Sequence, residues 1–218
     1  KWEAGHFGAG LLPPFSFIYD GRHSSRFIAD WIYSPGERRS YNKRSERICT
    51  YADPETGLRV RCEIASFRDF PAIEWVLRFK NDAMEDTLII EDVQSLDADI
   101  ASGGIGDFIL HRGRGSDARK DDFAPIDELI LPNTQVRLAP IGGRSSNSTA
   151  LPFFNVEFLM GGGVMVAIGW SGQWAASLAR GDGPSLRVRA GMELTHLRLH
   201  GGEGIRTPRI LLLFWKGD

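Results

Sequence analysis

Alternation of apolar and polar side chains constrains the fold of this chain more than any other feature of its sequence. From Ile73 to Lys80, apolar residues at every second position alternate with mostly polar ones. A two-residue period gives a β-strand one dry and one wet face. The same period occurs in segments 58–67, 153–158 and 186–199, and no segment of ten residues has a clean helical period. We therefore expect an all-β fold with very little helix, at most one turn near Pro125 to Leu129.

Turn-forming residues separate these segments at short intervals, which favours a many-stranded antiparallel sandwich. The sequence has 25 glycines and 11 prolines among 218 residues, a length that suits one large β-domain. We predict a single domain over residues 1–218. The expected turns are Ser34-Pro35-Gly36, Asp53-Pro54, Asn81-Asp82, Gly161-Gly162-Gly163, Gly181-Asp182-Gly183-Pro184 and Gly201-Gly202.

Charge and hydropathy argue against two classes of partner. With 26 basic and 28 acidic residues, the net charge is −2, without the excess of Lys and Arg that nucleic acid or anionic lipid attracts. The apolar run Ile210 to Trp215 is far shorter than the ~18 residues of a membrane helix and predicts a buried strand. We expect a soluble domain with neutral partners. Because the chain begins at Lys1, we expect a processed or excised fragment, and its compartment stays open.

The two cysteines, Cys49 and Cys62, flank the turn segment 53–57 and allow two registers. A five-residue loop places Ile48 opposite Cys62 and pairs Arg47 with Glu63, with the two thiols on opposite faces. A loop one residue shorter places Cys49 opposite Cys62 and permits a bridge. The first register is preferred because it pairs opposite charges across the strands. Two reduced structural cysteines are the expectation.

Two polar segments interrupt the strand pattern and predict surface loops. The first is His111 to Asp122 and the second is Gly142 to Thr149, both nearly free of apolar side chains. Segments of this composition cannot enter a core, and loops are where binding residues concentrate. The helix turn near Pro125 would follow the first of them.

Three motifs that could suggest a site have simpler structural interpretations. The glycine clusters at Gly103–Gly106 and Gly161–Gly163 lack the Lys and helix start of a phosphate loop, so they predict hairpin turns. His196 and His200 have the spacing of metal ligands on a helix, but on a strand they lie roughly 13 Å apart. We predict surface histidines there and no metal site.

Nucleophilic and acid–base patterns are equally weak. Gly169 to Gly172 lacks the strand-to-helix context of a nucleophile elbow and predicts a β-turn within a hairpin. The neighbouring carboxylates Asp121/Asp122 and Glu91/Asp92 point apart on a strand, and we expect solvated charges or salt bridges. The sequence therefore predicts no catalytic residue and no cofactor.

Three of the six tryptophans suggest carbohydrate contact. Trp31 follows Asp30, and Trp170 and Trp174 flank a polar Ser-Gly-Gln segment. Sugars present C–H faces that stack on indole rings while their hydroxyls bond to polar neighbours. Core packing is the simpler alternative for each ring. Trp75 and Trp215 are interpreted as purely structural.

Several motifs taken together resemble the N-terminal domain of α-galactosidase-like proteins of glycoside hydrolase family 36, over almost the whole chain. The motifs are Pro14-Phe15-Ser16-Phe17-Ile18-Tyr19-Asp20-Gly21, Arg61-Cys62-Glu63, Phe70-Pro71-Ala72-Ile73-Glu74-Trp75, Gly142-Gly143-Arg144-Ser145-Ser146, Leu151-Pro152-Phe153-Phe154-Asn155, Ala167-Ile168-Gly169-Trp170-Ser171-Gly172-Gln173-Trp174 and Thr207-Pro208-Arg209-Ile210.

The resemblance implies an antiparallel β-supersandwich similar to the galactose-mutarotase-like fold, followed in the full enzyme by a (β/α)8 barrel that carries the two catalytic aspartates. Those aspartates are not in this sequence. The family's N-terminal domain packs on the barrel and in some members lends an Asp or Trp to the sugar pocket, sometimes across the subunit interface of a homo-oligomer. The candidate residues for α-galactoside contact are Asp30, Trp31, Arg144, Trp170 and Trp174.

Two other functions stay open from the sequence. A stand-alone carbohydrate-binding module would use Trp31, Trp170 or Trp174 as a stacking platform. A sugar epimerase of mutarotase type would require a converging His/Glu pair, and strand alternation predicts none.

Overall fold

In a computed structural model that describes residues 2–101, 107–159 and 161–217, the chain folds into two antiparallel β-sheets that enclose one core. The all-β, antiparallel-sandwich prediction is confirmed. The elements are α1 (Trp2–His6), β1 (Ser16–Tyr19), β2 (Arg22–His23), 3₁₀ turns at Ser24–Arg26 and Ile28–Asp30, β3 (Ile32–Ser40), β4 (Arg44–Ala52), β5 (Leu58–Phe67), β6 (Ala72–Asn81), β7 (Ile90–Ala101), β8 (Phe108–Gly113), β9 (Pro125–Ile130), β10 (Thr134–Leu138), β11 (Phe153–Phe158), β12 (Gly163–Gly169), β13 (Trp174–Arg180), β14 (Ser185–Met192), β15 (His196–Leu197), β16 (Gly204–Arg206) and β17 (Arg209–Trp215).

The small sheet has the strand order β10-β13-β14-β7-β1-β2, with β15 beside β7. The large sheet has the order β3-β4-β5-β6-β17-β12-β11-β8-β9, with β16 beside β6. The final long strand, β17, thus lies in the middle of the large sheet. Within the described ranges, no helix has the length and apolar character to cross a bilayer.

The core forms where the alternating apolar faces of the two sheets meet. Trp75 is fully buried, and its indole nitrogen donates to the backbone oxygen of Ser95 at 2.8 Å. Phe79 of β6 meets Phe17 of β1 edge-to-face, with ring centroids 5.0 Å apart. The structural interpretation of Trp75 is confirmed. The Ile210–Trp215 run is a strand as predicted, but only Ile210 and Leu212 in it are buried.

One short helix, α1, closes an end of this core and has no counterpart in the sequence prediction. Trp2 stacks on Trp75 at 5.4 Å between ring centroids, and Glu3 bonds to Arg38 at 2.5 Å and Arg47 at 3.0 Å. Burial alone would raise the pKa of Glu3, but its hydrogen bonds and the nearby arginines lower it below the ordinary value. Glu3 is therefore held as a carboxylate.

Two local predictions are wrong. The segment Pro125–Ile130 is strand β9 rather than a helix turn, because it pairs along β8. Ser34-Pro35-Gly36 lies inside β3, where the register shifts between Pro35 and Arg38 as a bulge rather than a turn. A Cβ on Gly36 would come within 2.0 Å of the Ile48 oxygen, so this bulge requires glycine.

The preferred cysteine register is also wrong, and the alternative holds. Cys49 lies opposite Cys62, and Asp53 N donates to Leu58 O at 2.9 Å, which shortens the loop by one residue. Arg47 faces Ile64 across the strands and finds its carboxylate in Glu3 instead. Both thiols are free and buried, as expected of structural cysteines.

Three of the glycine-containing segments for which a turn is predicted have different outcomes. Gly161 and Gly162 have φ values of 93° and 107° and close the β11–β12 hairpin, as predicted. Gly103–Gly106 lies outside the described residues. The segment Gly169 to Gln173 is not a hairpin turn, because β12 belongs to the large sheet and β13 to the small one. It carries the chain from one sheet to the other.

Candidate functional site

The two polar segments singled out by the sequence lie against each other at one end of the sandwich. Ser116 N donates to Ser146 O at 2.9 Å, and Ser148 Oγ donates to Asp117 Oδ1 at 2.7 Å. The first segment is partly strand, since His111–Gly113 completes β8. The remaining residues form one joined, polar surface.

Arg144 is exposed at this surface, next to Ser145, whose backbone oxygen ties the loop to Trp174. Trp174 is fully buried and donates from its indole nitrogen to Ser145 O at 2.7 Å. Trp170 is half-buried against the core. No face of Trp174 is open to solvent, so a sugar could reach it only if the loop moved.

Asp30 and Trp31 border a separate cavity of about 250 Å³ beside the β4–β5 hairpin. Trp31 is only 8% exposed and packs on Phe27, with ring centroids 5.3 Å apart. Asp30 is exposed at the end of its 3₁₀ turn. This cavity combines aromatic walls with carboxylates and one guanidinium, from the residues Tyr19, Asp20, Arg22, Phe27, Asp30, Trp31, Asp53, Pro54, Glu55, Thr56 and Leu88.

The structure does not bring these two groups into one pocket. Trp174 begins β13 and Trp31 packs on Tyr19 at the end of β1. Strands β14 and β7 stand between them in the small sheet. Three strand spacings separate β13 from β1 by roughly 14 Å.

A cluster that the sequence did not predict lies on the outer face of the large sheet. His111 of β8 lies between Asp127 of β9 and Glu157 of β11, with Nδ1 2.7 Å from Asp127 Oδ1 and Nε2 2.7 Å from Glu157 Oε2. The alternation of Phe108 and Leu110 was a signal that β8 continues to His111. The sequence does not identify the partners, because the helix turn that it predicts near Pro125 to Leu129 includes Asp127.

The geometry of this cluster defines its chemistry. Burial opposes protonation of His111, but the hydrogen bonds and charges of Asp127 and Glu157 outweigh it and raise the imidazole pKa. A protonated ring with both nitrogens donating has no free lone pair, so it cannot act as a general base in this state. A converging His/Glu pair is therefore present, but it is arranged as a charge bridge between strands.

The other titratable candidates are paired with neighbours. Asp121 bonds to Arg114 at 2.6 Å and Asp92 bonds to Arg189 at 2.6 Å. His196 and His200 are exposed and bond to Glu91 and Asp86 at 2.9 and 2.8 Å. Among residues 2–101, 107–159 and 161–217, no group of three His, Cys, Asp or Glu side chains is arranged to hold a metal ion.

Solved structures of similar fold agree with one another. The GH36 α-galactosidase AgaA from Geobacillus stearothermophilus is similar at a TM-score of 0.70 and 15% identity, over 94% of this chain and 30% of that one. The chain has the fold of a domain of such an enzyme. The galactosidase domain of the α-galactosidase-sucrose kinase AgaSK matches with a TM-score of 0.69 and 15% identity, over 93% of this chain and 30% of its own.

A third enzyme agrees with the first two. The α-galactosidase from Lactobacillus brevis has a TM-score of 0.67 and 16% identity over 94% of this chain and 29% of its own. No family model matches the sequence, and no curated protein matches it. The chain thus spans about 30% of the length of solved enzymes that share its fold.

Proposed function

We propose that this chain is the non-catalytic N-terminal β-sandwich domain of an α-galactosidase-like glycoside hydrolase. In this role it packs on the catalytic barrel and shapes the rim of the sugar pocket. The observation that carries the proposal is the match of 93–94% of this chain to only about 30% of α-galactosidase chains. A domain that accounts for about 30% of an enzyme chain leaves the larger part of that chain for a separate catalytic domain.

The state of the reactive groups supports a scaffold role. The carboxylates considered for acid–base work are bonded to Arg, His or Ser, as Asp121 is to Arg114 and Asp122 to Ser116. Glycoside hydrolysis needs two carboxyl groups that face one sugar ring across about 5 to 10 Å. His111 is engaged at both nitrogens. These groups stabilise strands and loops in their present arrangement.

Asp30 and Arg144 are the residues that we propose for the sugar rim. Both are exposed and lie outside the strands, where a neighbouring domain can reach them. A carboxylate accepts hydrogen bonds from sugar hydroxyls, and a guanidinium offers paired donors to hydroxyls or to a partner carboxylate. Trp31 would support Asp30 from behind.

The test uses the parent protein, meaning a chain that carries this domain together with its catalytic domain. Asp30→Asn and Arg144→Ala should each raise KM for an aryl α-galactoside severalfold, with a smaller change in kcat. Glu37→Gln and Arg39→Ala, exposed changes on the edge strand β3, are the matched controls and should leave both constants unchanged. An unchanged KM in both rim variants would remove the rim role.

A stand-alone carbohydrate-binding module is the second candidate, and tryptophan burial argues against it. Trp31 is 8% exposed and Trp174 is fully buried, so neither presents a ring face. Titration of tryptophan fluorescence in the isolated chain with galactose and raffinose separates the two roles. Saturable quenching would favour the binding module, and an unchanged signal would favour the assembly role.

A further inference from the structure

The outer face of the large sheet carries an apolar patch formed by Phe153, Met165, Ala167, Leu211 and Leu213. Phe153 lies opposite Ala167, which lies opposite Leu211, and Met165 lies opposite Leu213. Phe153 is 53% exposed and Met165 is 46% exposed. The apolar patch lines a groove of about 560 Å³ together with Phe123 and Leu151.

The strands below the apolar patch are apolar on both faces. Inward, Val166 of β12 and Leu212 of β17 are buried in the core, and outward their neighbours Met165 and Leu213 face solvent. A strand with one wet face has polar residues there, as β6 has at Arg78. Near-continuous apolar strands are typical of sheets that are covered on both sides. This composition indicates a face that is buried in the assembled protein.

Polar groups flank the apolar patch on two sides and form its polar rim. On one side lies the His111 bridge, where two carboxylates flank one imidazole. On the other side, Glu74 bonds to Arg209 at 2.7 Å and to Arg44 at 3.1 Å. An apolar centre inside a polar rim is the usual anatomy of a protein–protein interface.

We infer that the apolar patch is the docking face for the catalytic domain of the same parent chain. This inference rests on the proposed function, and the occupant follows from the lengths of the similar enzymes. About 70% of each such chain lies outside the part that this domain matches, since the match covers 29–30% of it. The docked surface presents aliphatic side chains to Met165 and Leu213 and a basic or N–H donor group to the His111 bridge.

Aliphatic composition favours a protein surface over a sugar at this face. Sugars stack on flat aromatic rings, whereas four of the five residues of the apolar patch are not aromatic: Met165, Ala167, Leu211 and Leu213. A thioether and leucine side chains interdigitate with other side chains, as protein interfaces do. Sugar binding and self-association are outcomes that the experiment separates.

Methionine oxidation tests the docking face directly. Met165 lies in the apolar patch, and Met84, which is 92% exposed in the turn after β6, is the internal reference. Dilute hydrogen peroxide is added to the isolated chain and to the parent protein, and sulfoxide is followed by peptide mass spectrometry. Met165 should oxidise at least fivefold more slowly in the parent protein, relative to Met84, than in the isolated chain. Equal relative rates would overturn the inference.

Two further outcomes in the isolated chain would also overturn it. Protection of Met165 that grows with protein concentration, with a doubled mass by light scattering, would assign the face to a second copy. Protection by added galactose would assign it to a sugar. Hydrolysis of an aryl α-galactoside by the same parent sample is measured separately: an inactive parent with protected Met165 removes the enzyme class and keeps the docking face.

A pair of lysine variants gives a second readout. Met165→Lys lies in the apolar patch, and Ile48→Lys lies on the outer face of the same sheet at similar exposure, 46% against 40%. Met165→Lys should shorten the half-life of the parent protein at elevated temperature at least threefold, while Ile48→Lys leaves it nearly unchanged. Equal effects of the two variants in the parent protein would contradict the inference.

Discussion

The outer faces of the two sheets differ in whether their groups are already paired. On the small sheet, Asp97 accepts from Ser16 at 2.6 Å and from Arg187 at 2.8 and 3.0 Å, and Arg189 bonds to Asp92. These charged groups are paired with one another on the same face. On the large sheet, the apolar patch presents side chains that nothing in the described chain covers. The outer face of the small sheet therefore suits contact with solvent, whereas the outer face of the large sheet suits contact with a protein partner.

The largest expected difference in the free energy of unfolding is between substitutions on the two faces of one strand. Leu212 and Leu213 are neighbours in β17, one 1% exposed in the core and the other in the apolar patch. Leu212→Ala should lower the free energy of unfolding of the isolated chain by about 3 kcal/mol, because it leaves a cavity. Leu213→Ala should cost less than about 1 kcal/mol. Urea unfolding measures both, and equal costs would mean that the outer position is already packed.

The next effect concerns the charged face. Asp97→Ala should cost about 2 kcal/mol, because it leaves Ser16 and Arg187 without their acceptor. Asp99→Ala, an exposed change two residues along the same strand, is the matched control and should be nearly neutral. Urea unfolding of both variants at neutral pH makes the comparison, and a neutral Asp97→Ala would show that this face is not held by its ion pairs.

Acid should act on the same residue. Burial opposes ionisation of Asp97, but the bonds from Arg187 and Ser16 outweigh it and lower its pKa below the ordinary 3.8. Its contribution is therefore present above pH 3.8 and is lost as the pH falls through the lower folded value. The stability difference between the wild-type chain and Asp97→Asn should shrink in that range. A constant difference would contradict the lowered pKa.

The smallest effect lies at the rim of the apolar patch. The raised pKa of His111 means that its bridge contributes fully below pH 6.5 and is lost as the pH rises through the folded value. His111→Gln should remove a pH-dependent contribution of less than about 1 kcal/mol between pH 6 and 9. His200→Gln is the reference, since Asp86 raises that pKa too, at a fully exposed site outside the apolar patch. An unchanged slope in His111→Gln would show that the bridge does not hold the strands.

Alternation predicted the strands because burial on one face leaves a two-residue period, as in β6 and β5. The two-residue period does not determine the register in which the strands pair. One residue in the loop after Asp53 decides whether Cys62 faces Ile48 or Cys49, and charge pairing favoured the wrong choice because Glu3 of α1 competes for Arg47. Strand pairing also explains the wrong helix-turn prediction at Pro125–Ile130, because this segment pairs along β8. Nothing near Gly169 signals a change of sheet.

The candidate site was predictable only in part, for the same reason. Polar composition located the loop that carries Arg144 and showed that it lies at the surface. Burial of Trp174 and the bridge of His111 depend on contacts 29 and 46 residues away in sequence. The apolar patch had a local signal in the unbroken apolar run Ile210–Trp215, which predicts a strand buried on both sides.

Hydrolysis of an aryl α-galactoside by the purified 218-residue chain tests most directly whether this chain only supports chemistry carried by another domain. The chain should hydrolyse the substrate no faster than the blank under conditions where the parent protein turns it over. Hydrolysis above the blank that co-purifies with the chain and is abolished by His111→Gln would contradict this prediction, because it would place the reactive groups inside this domain.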